Sequence, residues 1–170
     1  YCAIFQEDEV IEKDRLIQLW MAQGFLQHPD DELEKVGEEY FYDLLNNSLF
    51  QDPVIDRKLG NVVRFKMHDV VHDLARALSI NDVSQQVRHL SLLGYEQCGS
   101  SLEAGNNFRT LLLSNNSPKL ENFSNNMIKY LRALILGGIR IEELPDSIGE
   151  LKHLRYLDIP GIESLPDGLV

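Results

Sequence analysis

The sequence predicts a mixed α and β fold in two parts, first three helices with a β-hairpin and then a series of repeated strand units. Three observations carry this prediction. Apolar residues recur at helical spacing in the first half, and they alternate on either side of a polar turn near residue 60. A leucine motif then starts at residues 87, 108, 131 and 154. We place the boundary between the parts at residues 80 and 81.

The first helix is predicted over residues 12–23. Its apolar positions follow helical spacing, and Gly24 stands where a left-handed residue commonly ends a helix. We expect the large indole of Trp20 to pack between the first two helices rather than to contact a ligand. The residues of the predicted inward face are Leu16, Leu19, Trp20 and Gln23.

A second helix is predicted over residues 31–46. Acidic residues in its first turn suit the positive end of the helix dipole. The residues of its predicted inward face are Leu33, Val36, Tyr40, Phe41, Leu44 and Leu45.

A hairpin and a third helix follow. Residues 49–51 and 62–67 flank a polar turn that contains Gly60, which predicts two antiparallel strands. The third helix is predicted over residues 70–79, with Asp69 as its N-cap because a carboxylate can accept from first-turn N–H groups. Helices combined with a hairpin in this order indicate a winged-helix domain over residues 1–80. The predicted inward residues of the third helix are Val70, Val71, Leu74, Ala75 and Leu78.

The second part, residues 81–170, repeats one pattern of apolar residue, Arg, any residue, apolar residue, any residue, apolar residue. This spacing is typical of leucine-rich repeats, so we expect the start of an α/β solenoid whose leucines fill a shared core. Strands are predicted near residues 87–92, 108–113, 131–136 and 154–159. The arginines would stack in one column, either as structural residues at the strand starts, which we favour, or as a basic stripe that binds a partner. They are Arg88, Arg109, Arg132 and Arg155.

The segment Met67-His68-Asp69 stands at the junction between the hairpin and the third helix. The pattern alone is compatible with a capping or core role for His68. A metal site is a further alternative, because His68 and His72 are one helical turn apart and carboxylates follow both. The sequence offers too few further His and Asp ligands for a complete metal site, so we expect His72 and Asp73 to form a solvated helix face. We predict neither a metal site nor a catalytic residue.

Several blocks resemble plant nucleotide-binding leucine-rich-repeat disease-resistance proteins of the coiled-coil class. They are residues 1–5, 16–26 and 37–45 and the complete Met67-His68-Asp69 motif, in the same order as in the winged-helix subdomain of that family's NB-ARC region. Gln6 departs from the family, which usually has proline there. The chain begins without Met and stops inside a repeat, so we expect it to be a fragment of a longer protein.

The resemblance implies an ADP/ATP-gated switch in plant defence. In such receptors a P-loop nucleotide-binding domain of the same chain holds the nucleotide, and the histidine of Met-His-Asp reaches the β-phosphate of ADP. The resemblance thus assigns cofactor contacts to Met67, His68 and Asp69, with Asp69 ordering the turn. It also implies that the repeats recognise a pathogen effector or a guarded host protein, and that activation leads to an oligomer.

The chain alone is expected not to be an enzyme. It has no P-loop sequence, so we expect no tight binding of ADP or ATP, and slow ATPase activity is expected, if at all, only of the parent protein. A net charge of -11 disfavours nucleic acid, and no apolar run is long enough to span a membrane. The two cysteines, Cys2 and Cys98, show no pairing pattern, which favours a cytoplasmic location. The alternative function is a leucine-rich-repeat interaction scaffold without nucleotide control.

Overall fold

A computed structural model describes residues 1–27, 32–81, 88–92, 107–114, 125–137 and 146–160. The chain divides into two compact units, Tyr1–Val83 and Ser84–Val170. Helices and strands occur in both units, which confirms the mixed α and β class.

The first unit begins with a 3-10 helix, Cys2–Ile4, and helix α1, Lys13–Gln23. Gly24 has a φ of 75° and ends α1 as predicted, and its N–H donates to the carbonyl of Met21 at 3.0 Å. All four residues predicted for the inward face of α1 are buried, and Trp20 is among them. The spacing of apolar residues therefore predicted this face correctly.

Helix α2, Leu33–Asn46, approaches α1 closely at Gly37. A Cβ atom added at Gly37 would lie 2.5 Å from Cγ2 of Ile17, so the two helices meet where no side chain intervenes. Nearby, Nζ of Lys13 donates to Oε1 of Glu38 at 2.6 Å, although the Lys13 side chain is only 5% exposed. Burial alone would lower the pKa of Lys13, but the bond to Glu38 outweighs it and the pKa is raised.

The buried face of α2 is narrower than predicted. Phe41 is fully buried, whereas Tyr40 is 50% exposed. Neighbouring residues differ by about 100° around a helix, so a narrow buried face includes one of these two rings and not the other. The ring of Phe41 lies 5.0 Å from that of Phe65 and 5.6 Å from that of Phe50, centroid to centroid, and this contact fixes which ring is inside. The predicted helix residue Asp31 lies outside the described residues.

The sheet of the first unit contains β1 (Ile11–Glu12), β2 (Phe50–Ile55) and β3 (Val62–Met67), in the antiparallel order β1-β3-β2. The predicted hairpin is confirmed, with β2 longer than expected. At its turn, Oδ1 of Asp56 accepts from the backbone N–H of Lys58 at 2.7 Å. The hairpin delivers the chain directly to the third helix.

The buried face of helix α3, Asp69–Asn81, differs from the prediction. Val70, Leu74 and Leu78, expected inside, are 69%, 57% and 61% exposed, whereas His72 is 4% exposed. We refer to these three exposed residues as the α3 apolar stripe. The prediction failed because the helix is apolar on two sides, and the side that carries His72 packs against the 3-10 helix at the N-terminus.

The second unit contains a parallel sheet in the order β4-β5-β6-β7. The strands are His89–Ser91, Thr110–Ser114, Ala133–Gly137 and Tyr156–Asp158. A short helix α4, Asn125–Ile128, precedes β6, and a 3-10 helix, Asp146–Glu150, precedes β7. The strands align in register so that one leucine from each forms a row across the sheet: Leu90, Leu111, Leu134 and Leu157.

Both faces of the two central strands are buried. On one face, Leu111 and Leu113 of β5 and Leu134 and Leu136 of β6 pack in the core of the unit. Side chains alternate along a strand, so the intervening residues point the other way. Those intervening residues are at most 2% exposed, and they are Thr110, Leu112, Ala133 and Ile135.

The predicted arginine column lies just before the strands. Each arginine donates its backbone N–H to the carbonyl of the arginine one repeat earlier. The distances are 2.6 Å from Arg109 to Arg88, 2.8 Å from Arg132 to Arg109 and 2.9 Å from Arg155 to Arg132. Burial chiefly, together with the charges of Arg109 and Arg155, lowers the pKa of Arg132. Backbone hydrogen bonds therefore link the four arginines in one column at the start of the strands.

His89 lies next to this column, and its Nδ1 is 3.0 Å from Oγ1 of Thr110. Burial chiefly, with the positive charges of Arg109 and Arg88 adding to it, lowers the pKa of His89 from 6.5 to about 4. Between these values the unfolded chain binds a proton that the folded chain does not. The free energy of unfolding of the second unit should therefore fall as the pH drops below 6.5.

Candidate functional site

The Met67-His68-Asp69 motif connects β3 to α3. Met67 is the last residue of β3, pairs with Phe50 in β2 and is 5% exposed. The backbone N–H of His68 donates to the carbonyl of Leu49 at 3.1 Å, and α3 begins at the next residue, Asp69. The backbone of His68 is thus fixed by the sheet on one side and by the helix on the other.

The side chain of His68 caps α3. Its Nδ1 accepts from the backbone N–H of Val70 at 3.3 Å, and its carbonyl accepts from the N–H groups of Val71 and His72 at 2.9 Å. The prediction that Asp69 is the N-cap is therefore wrong. A capping acceptor must come from the residue before the first helical turn, and Asp69 is already helical. Its exposed carboxylate still lies at the favourable end of the helix dipole.

The capping bond determines which nitrogen of His68 can serve a ligand. Because Nδ1 accepts a hydrogen bond, the proton of the neutral ring is on Nε2. The residue is half-buried, which leaves an edge of the ring accessible. His68 therefore presents an N–H donor at a strand–helix junction.

The three predicted cofactor-binding residues have different surroundings. Met67 is in the core of the hairpin, His68 is half-buried and Asp69 is exposed. Geometry places only His68 with both a fixed backbone and an accessible polar group. Met67 packs in the core beside the motif, and Asp69 belongs to the first turn of α3.

His72 is not the solvated residue that we predicted. It is 4% exposed, and its Nε2 lies 3.0 Å from the carbonyl oxygen of Phe5, while Asp73 is exposed as expected. The metal alternative requires His68 and His72 to turn toward one ion. The hydrogen bond instead directs Nε2 of His72 toward Phe5. Within the described ranges, no group of three or more His, Cys, Asp and Glu residues is arranged to hold a metal ion. The periodicity of apolar residues carried no signal for this buried histidine.

A groove of about 480 Å³ lies between α1 and α2. Three of its side chains are carboxylates, so it does not suit the phosphates of a nucleotide. Its lining residues are Asp14, Ile17, Gln18, Glu34, Lys35 and Glu38.

Across the part of the chain that the structure describes, no helix has the length and apolar character needed to cross a membrane.

Known proteins resemble this chain over most of its length. Residues 4–75 match the winged-helix domain of disease resistance proteins. The chain is 39% identical over 163 residues to the disease resistance protein RGA1 of Solanum bulbocastanum, and 41% identical over 155 residues to RGA2 of the same species. It is 33% identical over 195 residues to the disease resistance protein At3g14460 of Arabidopsis thaliana.

These three matches cover 95%, 90% and 98% of the chain. The chain spans only 15%, 15% and 13% of the length of these relatives, respectively. The predicted winged helix is confirmed, and the chain belongs to the family of plant disease resistance proteins.

Proposed function

We propose that this chain forms one wall of an ADP/ATP-gated switch in a plant immune receptor, followed by the first leucine-rich repeats. In this proposal a P-loop domain elsewhere in the parent protein holds ADP, and Nε2 of His68 donates to its β-phosphate. The chain contributes binding rather than catalysis. Family membership supports the role in defence, since the relatives are named for disease resistance.

The observation that carries the proposal is the state of the His68 ring. Nδ1 is occupied by the capping bond from Val70, so Nε2–H is the donor that the ring offers. A phosphate oxygen only accepts hydrogen bonds, and a bond to a charged phosphate is stronger than one to a neutral acceptor. The ring therefore has the right donor for a nucleotide phosphate in a position that the backbone fixes.

The α3 apolar stripe supports closure against another domain. Its residues Val70, Leu74 and Leu78 lie on the helix that His68 caps, and each is more than half exposed. Contiguous exposed apolar side chains mark interaction surfaces. A P-loop domain that covered this stripe would also bring its nucleotide to the start of α3.

The second unit supports a recognition role. Its parallel strands follow one another at the repeat spacing of the sequence, and their leucines share one core, as in a leucine-rich solenoid. Such solenoids expose extended surfaces to protein partners. In this proposal further repeats of the parent recognise a pathogen effector or a guarded host protein, and activation leads to an oligomer.

The test measures ADP retention by the intact parent protein. His68→Asn keeps a good N-cap but removes the donor at the Nε2 position. His68→Gln places an amide nitrogen near that position and serves as the matched control. We expect His68→Asn to speed ADP dissociation by about 10–100-fold, because a hydrogen bond to a charged group contributes about 1.5–3 kcal/mol. Equal ADP dissociation from the wild type and from a folded His68→Asn protein would contradict the proposal.

The second candidate is a leucine-rich interaction scaffold without nucleotide control. The arginine column favours it, because a row of positive charges in a chain of net charge -11 suits an acidic protein partner. The nucleotide content of the intact parent separates the two functions. A purified parent that contains no ADP, and whose sequence has no P-loop upstream of Tyr1, would favour the scaffold.

A further inference from the structure

We propose that His72 is a positioning residue that holds His68 in place. Its hydrogen bond to the carbonyl of Phe5 ties the first turn of α3 to the N-terminal segment, residues 1–5. The inference rests on the proposed function in one respect, namely that His68 is the residue that meets the phosphate. The link between His72 and His68 can be measured without any nucleotide.

The geometry determines the tautomer of His72. Its Nε2 lies 3.0 Å from the carbonyl oxygen of Phe5, which is 67 positions away in the sequence. A carbonyl oxygen only accepts, so Nε2 carries the proton and Nδ1 of the neutral ring carries the lone pair. Nδ1 is buried and has no hydrogen-bond partner among the described residues.

Packing alone does not explain a histidine at this position. A buried polar atom without a partner costs free energy that an apolar side chain of similar size would not. His72 is 4% exposed and Phe5 is 2% exposed, so solvent does not relieve this cost. The directed bond from Nε2 to Phe5 is what the histidine provides and a leucine cannot.

The bond continues into the candidate site through the backbone. The N–H of His72 donates to the carbonyl of His68 at 2.9 Å, and the N–H of His68 donates to the carbonyl of Leu49 at 3.1 Å. The first turn of α3 is therefore held between Leu49 at one end and Phe5 at the other. Helix ends fray unless such bonds restrain them, and the capping geometry of His68 depends on this turn.

The N-terminal segment is itself held in place. The ring of Tyr1 makes an edge-on contact with that of Phe25, at 5.5 Å between centroids, and the N–H of Phe5 donates to the carbonyl of Cys2 at 3.2 Å. A displacement of this segment would thus reach His68 through His72. In the parent protein, this path would couple movement of the preceding chain to the phosphate contact.

Nuclear magnetic resonance of the ¹⁵N-labelled 170-residue chain, without nucleotide, tests the link. Long-range nitrogen–proton spectra report the tautomer of each imidazole, and we expect the Nε2–H tautomer for both His68 and His72. In His72→Leu we expect the amides of Val70 and Val71 to exchange about tenfold faster, which corresponds to one lost hydrogen bond. We also expect His68 to lose its single tautomer.

Two further variants separate positioning from general stability. His72→Gln places an amide nitrogen where Nε2 lies. It should restore both the slow amide exchange of Val70 and Val71 and the single tautomer of His68. Ile17→Val lowers the stability of the same unit through the contact between α1 and α2. It should change neither the amide exchange of Val70 and Val71 nor the tautomer of His68.

Three results would overturn the inference. The first is an Nδ1–H tautomer of His72 in the unmodified chain, a result that needs no variant to fold. The second is a folded His72→Leu chain with unchanged His68 signals, and the third is an equal change in Ile17→Val. If the link holds while His68→Asn leaves ADP retention unchanged, the proposed function fails and the positioning role of His72 stands.

Discussion

Replacement of Gly37 with alanine tests the contact between α1 and α2. The added Cβ would lie 2.5 Å from Cγ2 of Ile17 and 3.0 Å from Cδ1 of Leu26. Both of these side chains are buried, so they have little room to move away. Overpacking a core costs about 1–3 kcal/mol, whereas alanine in a helix gains about 1 kcal/mol over glycine. We expect Gly37→Ala to lower the free energy of unfolding by up to about 2 kcal/mol, the difference between these two effects.

Urea unfolding followed by tryptophan fluorescence measures this change, because Trp20 is the only tryptophan in the sequence and is buried in α1. Ile17→Leu removes the Cγ2 methyl that the new Cβ would meet. Gly37→Ala should therefore cost about 1 kcal/mol less in the Ile17→Leu background than in the wild type. A stabilising effect of Gly37→Ala alone, or strict additivity of the two substitutions, would refute the close contact.

Three further predictions concern charge and exposure. Lowering the pH from 7 to 5 should reduce the free energy of unfolding of the second unit by about 1–2 kcal/mol through His89, a value that allows for screening by solvent. Circular dichroism during urea unfolding should show no such loss in His89→Gln. Glu38→Gln should cost the first unit about 1 kcal/mol in the fluorescence assay, because the buried ammonium of Lys13 loses its 2.6 Å contact with a carboxylate and keeps that of Asp14 at 3.8 Å; no measurable cost would contradict this. Leu74→Gln should change the free energy of unfolding by less than about 0.5 kcal/mol, since the side chain is 57% exposed, yet speed ADP loss from the parent; slower loss would argue against closure over α3.

The parts of the fold that could be predicted from the sequence are those where one local signal dominates. Helix α1 has a single apolar face and a glycine at its end, and both were correctly located. Helix α3 has apolar residues on two sides, so periodicity alone does not select between them. The hydrogen bond from His72 to Phe5 joins residues at opposite ends of the first unit, and no local pattern encodes it.

The candidate site was predictable in position but not in detail. Met67-His68-Asp69 stands between a strand and a helix, as the change of apolar period indicated. Which residue caps the helix depends on where the first turn begins, and sequence patterns locate helix ends only to within one or two residues. That shift of one residue transfers the cap from Asp69 to His68, and the capping bond then leaves Nε2 of His68 as the donor of the ring.

The buried second face of β5 and β6 limits how this region can diversify. Leu112 and Ile135 point away from the leucine core, yet they are as inaccessible as that core. A larger or charged side chain at either position would incur the cost of a core substitution. Natural variants of this chain are therefore expected to keep small or apolar residues along these two strands. In the recognition role proposed above, changes that alter binding should accumulate instead at exposed positions such as Arg88 and Arg155.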